Sequence, residues 1–201
     1  MTEVCWSRDG KRLAGIWVDY KAERLGTWGG LAVWDAETGK LVAHRETPFA
    51  EPSGRTVCFS FSPDGETLAV GGLTSDKRGA TSLALLDATT LKTIRSTPIN
   101  SRDGGADVTA VAFAPDGATV AAGVNLHSGK GPLVRALLWD VATGEVLHTF
   151  LPDHDTPIIS SLAFSRDGKT LIAVTGAGSN EMQKNASAHR ILIWRGEAKS
   201  R

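Results

Sequence analysis

The sequence predicts an all-β protein made of four copies of one antiparallel unit, and three observations carry that expectation. First, a short signature, Phe/Trp-Ser/Ala-x-Asp-Gly-x-x-Leu/Val, occurs at Trp6–Leu13, Phe61–Leu68, Phe113–Val120 and Phe164–Leu171, with its Asp-Gly pairs 55, 52 and 51 residues apart. Second, another signature follows each copy at a similar period: Leu31-Ala32-Val33-Trp34-Asp35, Leu83-Ala84-Leu85-Leu86-Asp87, Ala136-Leu137-Leu138-Trp139-Asp140 and Ile191-Leu192-Ile193-Trp194-Arg195. Third, no segment shows a sustained helical spacing of apolar residues. Two markers recurring in one order at one period define a repeat architecture.

Each unit reads as a four-stranded meander. The first strand alternates, as in Val57-Cys58-Phe59-Ser60-Phe61 or Val111-Ala112-Phe113, and ends at Asp-Gly. That pair suits a tight turn, because Gly takes positive φ freely and Asp hydrogen-bonds its own backbone. The second strand is short and built of small apolar residues: Leu68-Ala69-Val70, Val120-Ala121-Ala122, Leu171-Ile172-Ala173-Val174. The third ends in Trp-Asp and turns through Asp35-Ala36-Glu37-Thr38-Gly39 or Asp140-Val141-Ala142-Thr143-Gly144, where Asp and Thr cap the turn and Gly supplies a left-handed residue. The fourth is Leu41-Val42-Ala43-His44, Leu91-Lys92-Thr93-Ile94 or Glu145-Val146-Leu147-His148-Thr149-Phe150.

The composition narrows the partners. The 201 residues carry 22 Lys+Arg against 22 Asp+Glu, a formal net charge of zero, with 41% hydrophobic residues. A chain of this length buries roughly 70% of its unfolded surface and needs neither disulfide nor metal to fold. Zero net charge lacks the positive field that nucleic acid or an anionic membrane surface requires. No stretch approaches the roughly 20 apolar residues that span a bilayer, and the first residues do not read as a secretion signal. The expected partners exclude nucleic acid and membrane; the sequence does not name a compartment, and the lack of a signal or span favours the cytoplasm over others. Cys5 and Cys58 are too few for a disulfide framework or a four-cysteine zinc site.

Phe-Ser-Pro-Asp-Gly, a small-residue strand and then Trp-Asp-x-x-Thr-Gly together resemble the WD-repeat β-propeller family. The resemblance covers nearly the whole chain in four blades, at about 1–47, 56–97, 108–150 and 159–195. It implies four-stranded antiparallel blades arranged radially, the first strand of each nearest the central channel. It also implies a protein-binding scaffold without cofactor. The chain departs from the family in two ways. The Gly-His pair that usually precedes the first strand is missing, with only His154 near its place. The strand-three Trp is present as Trp34, Trp139 and Trp194 but replaced by Leu86, so these indoles read as apolar packing.

The period is also longer than the roughly 40–45 residues of such repeats. The surplus is expected in the connections between strands two and three: Val18 to Gly30, Gly71 to Thr81, Gly123 to Arg135 and Thr175 to Arg190. One rim would then carry long loops, and Tyr20, Arg24, Trp28, Lys77, Arg78, His127, Lys130, His154, Lys184 and His189 are its candidate contact residues. Arg, Tyr and Trp are the types that dominate protein-binding hot spots. A protein or peptide bound on this rim is the first functional expectation. A propeller enzyme, metal-dependent or lactonase-like, with a site on the same rim is the second.

The chemical signatures of such an enzyme are thin. Gly123–Gly131 has the wrong spacing for a phosphate-binding loop and leads into a strand, not a helix N-terminus. His127, His154 and His189, even with Asp153 and Asp155, lack close ligand spacing. No Gly-x-Ser-x-Gly elbow occurs. No catalytic, metal or cofactor-binding residue is therefore expected. The count of strands gives four first, second and third strands but three fourth strands. Closure is expected through further blades in a longer protein, through a homodimer forming an eight-bladed ring, or through an unusually small ring.

Overall fold

The computed structural model describes residues 3–19, 27–49, 58–74, 81–99, 106–126, 133–152, 158–176 and 190–196. They form fifteen strands and no helix. The first sheet holds β1 (Glu3–Trp6), β2 (Arg12–Asp19), β3 (Thr27–Asp35) and β4 (Leu41–Phe49). The second holds β5 (Cys58–Phe61), β6 (Thr67–Thr74), β7 (Thr81–Asp87) and β8 (Thr93–Ile99). The third holds β9 (Ala106–Phe113), β10 (Thr119–Leu126), β11 (Leu133–Asp140) and β12 (Val146–Phe150), and the fourth β13 (Ile158–Phe164), β14 (Thr170–Gly176) and β15 (Ile191–Arg195). Every sheet is an antiparallel meander in chain order, the blade of a propeller. The fourth has three strands among the described residues.

The first turn of each blade is a small polar device. Ser7 Oγ donates to Asp9 Oδ1 at 2.6 Å and accepts from the Arg12 N–H at 2.9 Å, while the Lys11 N–H donates to the same Asp9 oxygen at 3.0 Å. Ser62 with Asp64 and Ser165 with Asp167 repeat it. Ala114 occupies the serine position in the third blade, where Asp116 still accepts from the Ala118 N–H at 2.9 Å. The glycines Gly10, Gly65, Gly117 and Gly168 take φ between 71° and 75°, a conformation open to Gly at little cost.

At the second turn, Asp35 Oδ1 accepts from the Thr38 N–H at 2.7 Å and the Thr38 hydroxyl at 2.6 Å, and Asp140 does the same with Thr143. Gly39 and Gly144 close these turns at φ 67° and 79°. In the second blade that left-handed place falls to Leu91, at φ 53°. Leu91 therefore belongs to the turn, not to the strand the sequence suggested. A left-handed non-glycine residue costs about 1–2 kcal/mol. Burying the Leu91 side chain in the core beside Leu68 and Leu86 returns a similar amount.

The strand-two-to-strand-three connections differ from expectation. The ladder continues beyond the small residues: Val18 pairs with Gly29 and Asp19 with Trp28, Thr74 pairs with Thr81, and Val124, Asn125 and Leu126 pair with Arg135, Val134 and Leu133. Much of the surplus period in the first three blades is thus strand. Backbone hydrogen bonds of a twisted hairpin need no apolar alternation to persist, which is why composition marked these residues as loop.

Blades pack through one repeated contact. On one face of a blade, called here the head, the aromatic of strand one, an apolar residue of strand two and the residue before the strand-three Asp lie in one row. In blade two this row is Phe61, Leu68 and Leu86, and it is buried against Ala14, Ile16, Leu31 and Val33 on the opposite face, the tail, of blade one. Val120 and Trp139 on the head of blade three meet Ala69, Leu83 and Leu85 of blade two. Leu162 and Leu171 on the head of blade four meet Ala110, Ala112 and Ala136 of blade three. Gly71 and Gly123 permit close approaches between blade cores. A Cβ on Gly71 would collide with the Val108 side chain, and one on Gly123 would lie 2.8 Å from Ile159 Cγ2.

Candidate binding cleft

Nine of the ten rim residues singled out in the sequence, Tyr20, Arg24, Lys77, Arg78, His127, Lys130, His154, Lys184 and His189, lie outside the described residues. Trp28 is placed only by backbone register, opposite Asp19 and Pro48 near the far end of the first sheet. The described residues build a site at the other end, beside the Asp-Gly turns. There the first strands of all four blades converge on an open cleft of about 340 Å³. Each blade contributes the aromatic of its repeat signature: Trp6, Phe61, Phe113 and Phe164. Each also contributes the variable residue before Asp-Gly, which runs Arg8, Pro63, Pro115 and Arg166 along the chain.

The four aromatics are not equally sunk. Phe61 is buried, Phe113 and Phe164 are half-buried, and Trp6 is exposed. Both arginines are exposed at the outer blades, with the rigid prolines between them. Among the described residues, Arg8 and Arg166 are the charged side chains that line the cleft, each followed directly by the aspartate of its turn, Asp9 or Asp167. The floor carries polar groups in use: the Ser60 hydroxyl lies 3.4 Å from the Phe113 N–H, which donates to it across the blade boundary.

Ionisable groups near the cleft are set by the turns and the core. Hydrogen bonds from Ser7 and the Lys11 amide hold Asp9 below the usual carboxylate range, and Asp64 and Asp167 are held down by Ser62 and Ser165 in the same way. They are turn-forming anions. Burial pushes the Cys5 thiol up to about 12 and raises Cys58 further, so neither is a nucleophile near neutrality. Glu3, at the far end of β1, is raised by desolvation to about 6. Among the described residues no group of three or more His, Cys, Asp or Glu side chains is placed to hold a metal ion.

Of the strand-three tryptophans, Trp139 differs from the apolar reading, and Trp194 follows it. Trp139 is fully buried, and its indole N–H donates to the Gly144 carbonyl at 2.7 Å, tying strand three to its own turn. Trp194 stacks on Phe150 of the preceding blade at 4.9 Å between ring centroids. Trp34 is half-buried on the head of blade one. The cleft was missed in the sequence because its aromatics read there as strand markers. The Arg-Pro-Pro-Arg series at the variable position was the signal that could have found it.

The WD domain, G-beta repeat family model matches residues 144–181. No curated protein matches the sequence. Among solved structures, hydrazine synthase of Kuenenia stuttgartiensis aligns at 20% identity and a TM-score of 0.55, over 88% of this chain and 42% of that one. The C-terminal WD40 domain of Sif2 aligns at 17% identity and a TM-score of 0.53, over 98% of this chain and 46% of that one. At these identities the likeness is one of fold, and the chain spans less than half the length of either structure.

Proposed function

Because the chain is a WD-repeat-like, partial β-propeller, we propose that it works as a non-enzymatic scaffold module that binds a protein or peptide segment. One observation carries this reading: the open cleft where four blades each present an aromatic, with two exposed arginines among its lining residues. Such a surface favours an extended segment whose apolar side chains lie over Phe113 and Phe164 and whose carboxylates reach Arg8 and Arg166. Trp and Arg are enriched among interface hot spots, the phenylalanines add apolar area to bury, and bidentate Arg–carboxylate pairs add geometric selection. The strand framework is rigid and preformed, which lowers the ordering cost of binding.

The raised thiols and the turn-locked aspartates support the absence of acid–base or nucleophilic chemistry at this site. A fluorescence-polarisation screen of labelled fifteen-residue peptides of acidic, neutral and basic composition tests the proposal. Apolar–acidic peptides should bind, and the double variant R8E/R166E should lose them by tenfold or more. Equal binding of basic peptides, or no binding in any class, overturns the cleft as the site. Chelator-sensitive turnover of simple esters, lactones or phosphoesters by the purified chain overturns the non-enzymatic reading.

A further inference from the structure

Two apolar faces of the molecule are the separated halves of a contact that it makes three times internally. The head of blade one presents the cross-strand row Trp6, Leu13, Trp34 and Leu41, with Val4 beside it. Trp6 is 59% exposed where its counterpart Phe61 in blade two is 7%. The tail of blade four presents Ile172, Val174, Ile191 and Ile193 in two facing pairs. Ile191 is 68% exposed where its counterpart Leu31 in blade one is 2%.

The turns repeat the pattern. A Cβ on Gly65 would touch Ser7, and Cβ atoms on Gly117 and Gly168 would touch Pro63 and Pro115 of the blade before, yet one on Gly10 would meet nothing within 4 Å. The head of blade one is thus shaped like three covered heads and stands uncovered. The tail of blade four carries β-branched residues where blade one places Ala14, Ile16, Leu31 and Val33, the tail that receives blade two.

We propose that these two faces bind each other between two copies of this chain, head to tail at both ends, giving a closed two-chain ring of eight blades. The occupant is fixed by complementarity: each face matches the partner it already has elsewhere in the same molecule, and one chain supplies both. A head-to-tail contact that closes after two copies is a two-fold ring, whereas one that fails to close builds filaments. Length fits two copies, since the four-blade arc aligns over 98% of its chain with 46% of the C-terminal WD40 domain of Sif2. Closure also sets two copies of the cleft around one channel.

Light scattering on the full chain tests the ring, with a tail variant V174K/I193K and a head variant V4D/L41D, all four positions exposed. Wild type at roughly 100 µM, enough to saturate a micromolar contact, should have twice the 21.2 kDa chain mass. Each variant alone should fall to the single-chain mass while keeping the wild-type circular dichroism spectrum. An equimolar mixture should regain the double mass, because one contact is then native and the other sets Asp against Lys. A single-chain mass for wild type, an open-ended series of masses, or variants that stay monomeric when mixed would each overturn the proposal.

Discussion

Trp139 and Trp34 occupy the same place in the repeat and live in different environments. Trp139 sits at the head of blade three under blade two, with no solvent contact and its N–H bonded to Gly144. Trp34 sits at the head of blade one, half-buried, with no blade before it among the described residues. The side chain and the local hairpin are shared, so what differs is the neighbour. The energetic weight of a repeat residue here is set by blade order, as expected for a quasi-one-dimensional architecture in which each unit touches only the next.

The largest consequence is a gap between matched substitutions. Trp139→Ala removes a fully buried indole and leaves the Gly144 carbonyl without its partner, costing about 3–5 kcal/mol. Trp34→Ala in the dilute chain should cost about 1 kcal/mol or less, as substitutions away from packed cores do. Denaturant midpoints at unchanged slope measure both. If the two losses are equal, blade order does not set the weight.

Glycines sharpen the same comparison at a smaller scale. Gly123→Ala drives a methyl to 2.8 Å from Ile159 Cγ2 at a covered boundary, and overpacking of this kind costs about 1–3 kcal/mol. Gly10→Ala meets open space and pays only for its left-handed φ of 72°, about 1–2 kcal/mol. Thermal melts of the two variants, each beside Gly65→Ala at a covered turn, separate steric from backbone cost. Smaller still is Ala114→Ser, which installs the Ser–Asp turn device of the other three blades and should add about 0.5–1.5 kcal/mol.

Titration should divide the molecule into opposed halves. Asp87, held down to about 2 by Thr89 and Thr90, contributes stability that is present above its ordinary 3.8 and lost as pH falls toward about 2. Glu3, raised to about 6 by burial, acts the other way: its contribution is complete below 4.5 and lost as pH rises through about 6. Unfolding followed from pH 2 to 8 should show a shallower acid limb in D87N, with the remainder carried by the other turn aspartates, and should lose its decline near pH 6 in E3Q.

The repeat, the strand order and the Asp-Gly turns were legible in the sequence because they rest on local chemistry. Ser7, Asp9 and Gly10 serve their own hairpin wherever it sits. The extent of β2 and β3 was not legible, since the pairing of Val18 with Gly29 is a backbone matter with no side-chain pattern to announce it. Nor was Leu91 at positive φ, where tertiary burial overrides a turn preference for glycine. The cleft needed the third dimension: Trp6 and Phe164 are far apart in sequence and meet only when blades are set side by side. Nine of the ten rim residues singled out in the sequence fall outside the described residues, and the cleft stands at the Asp-Gly end of the blades, away from the Trp28 end of the first sheet.

Hydroxyl-radical footprinting read by mass spectrometry tests most directly that one head-to-tail contact, repeated, orders this molecule. In the dilute chain Trp6 should be oxidised many times faster than Trp139, with Ile191 and Ile193 labelled faster than Leu31 and Val33. Oxidation of Trp139 at the rate of Trp6, or of Leu31 at the rate of Ile191, would contradict the account.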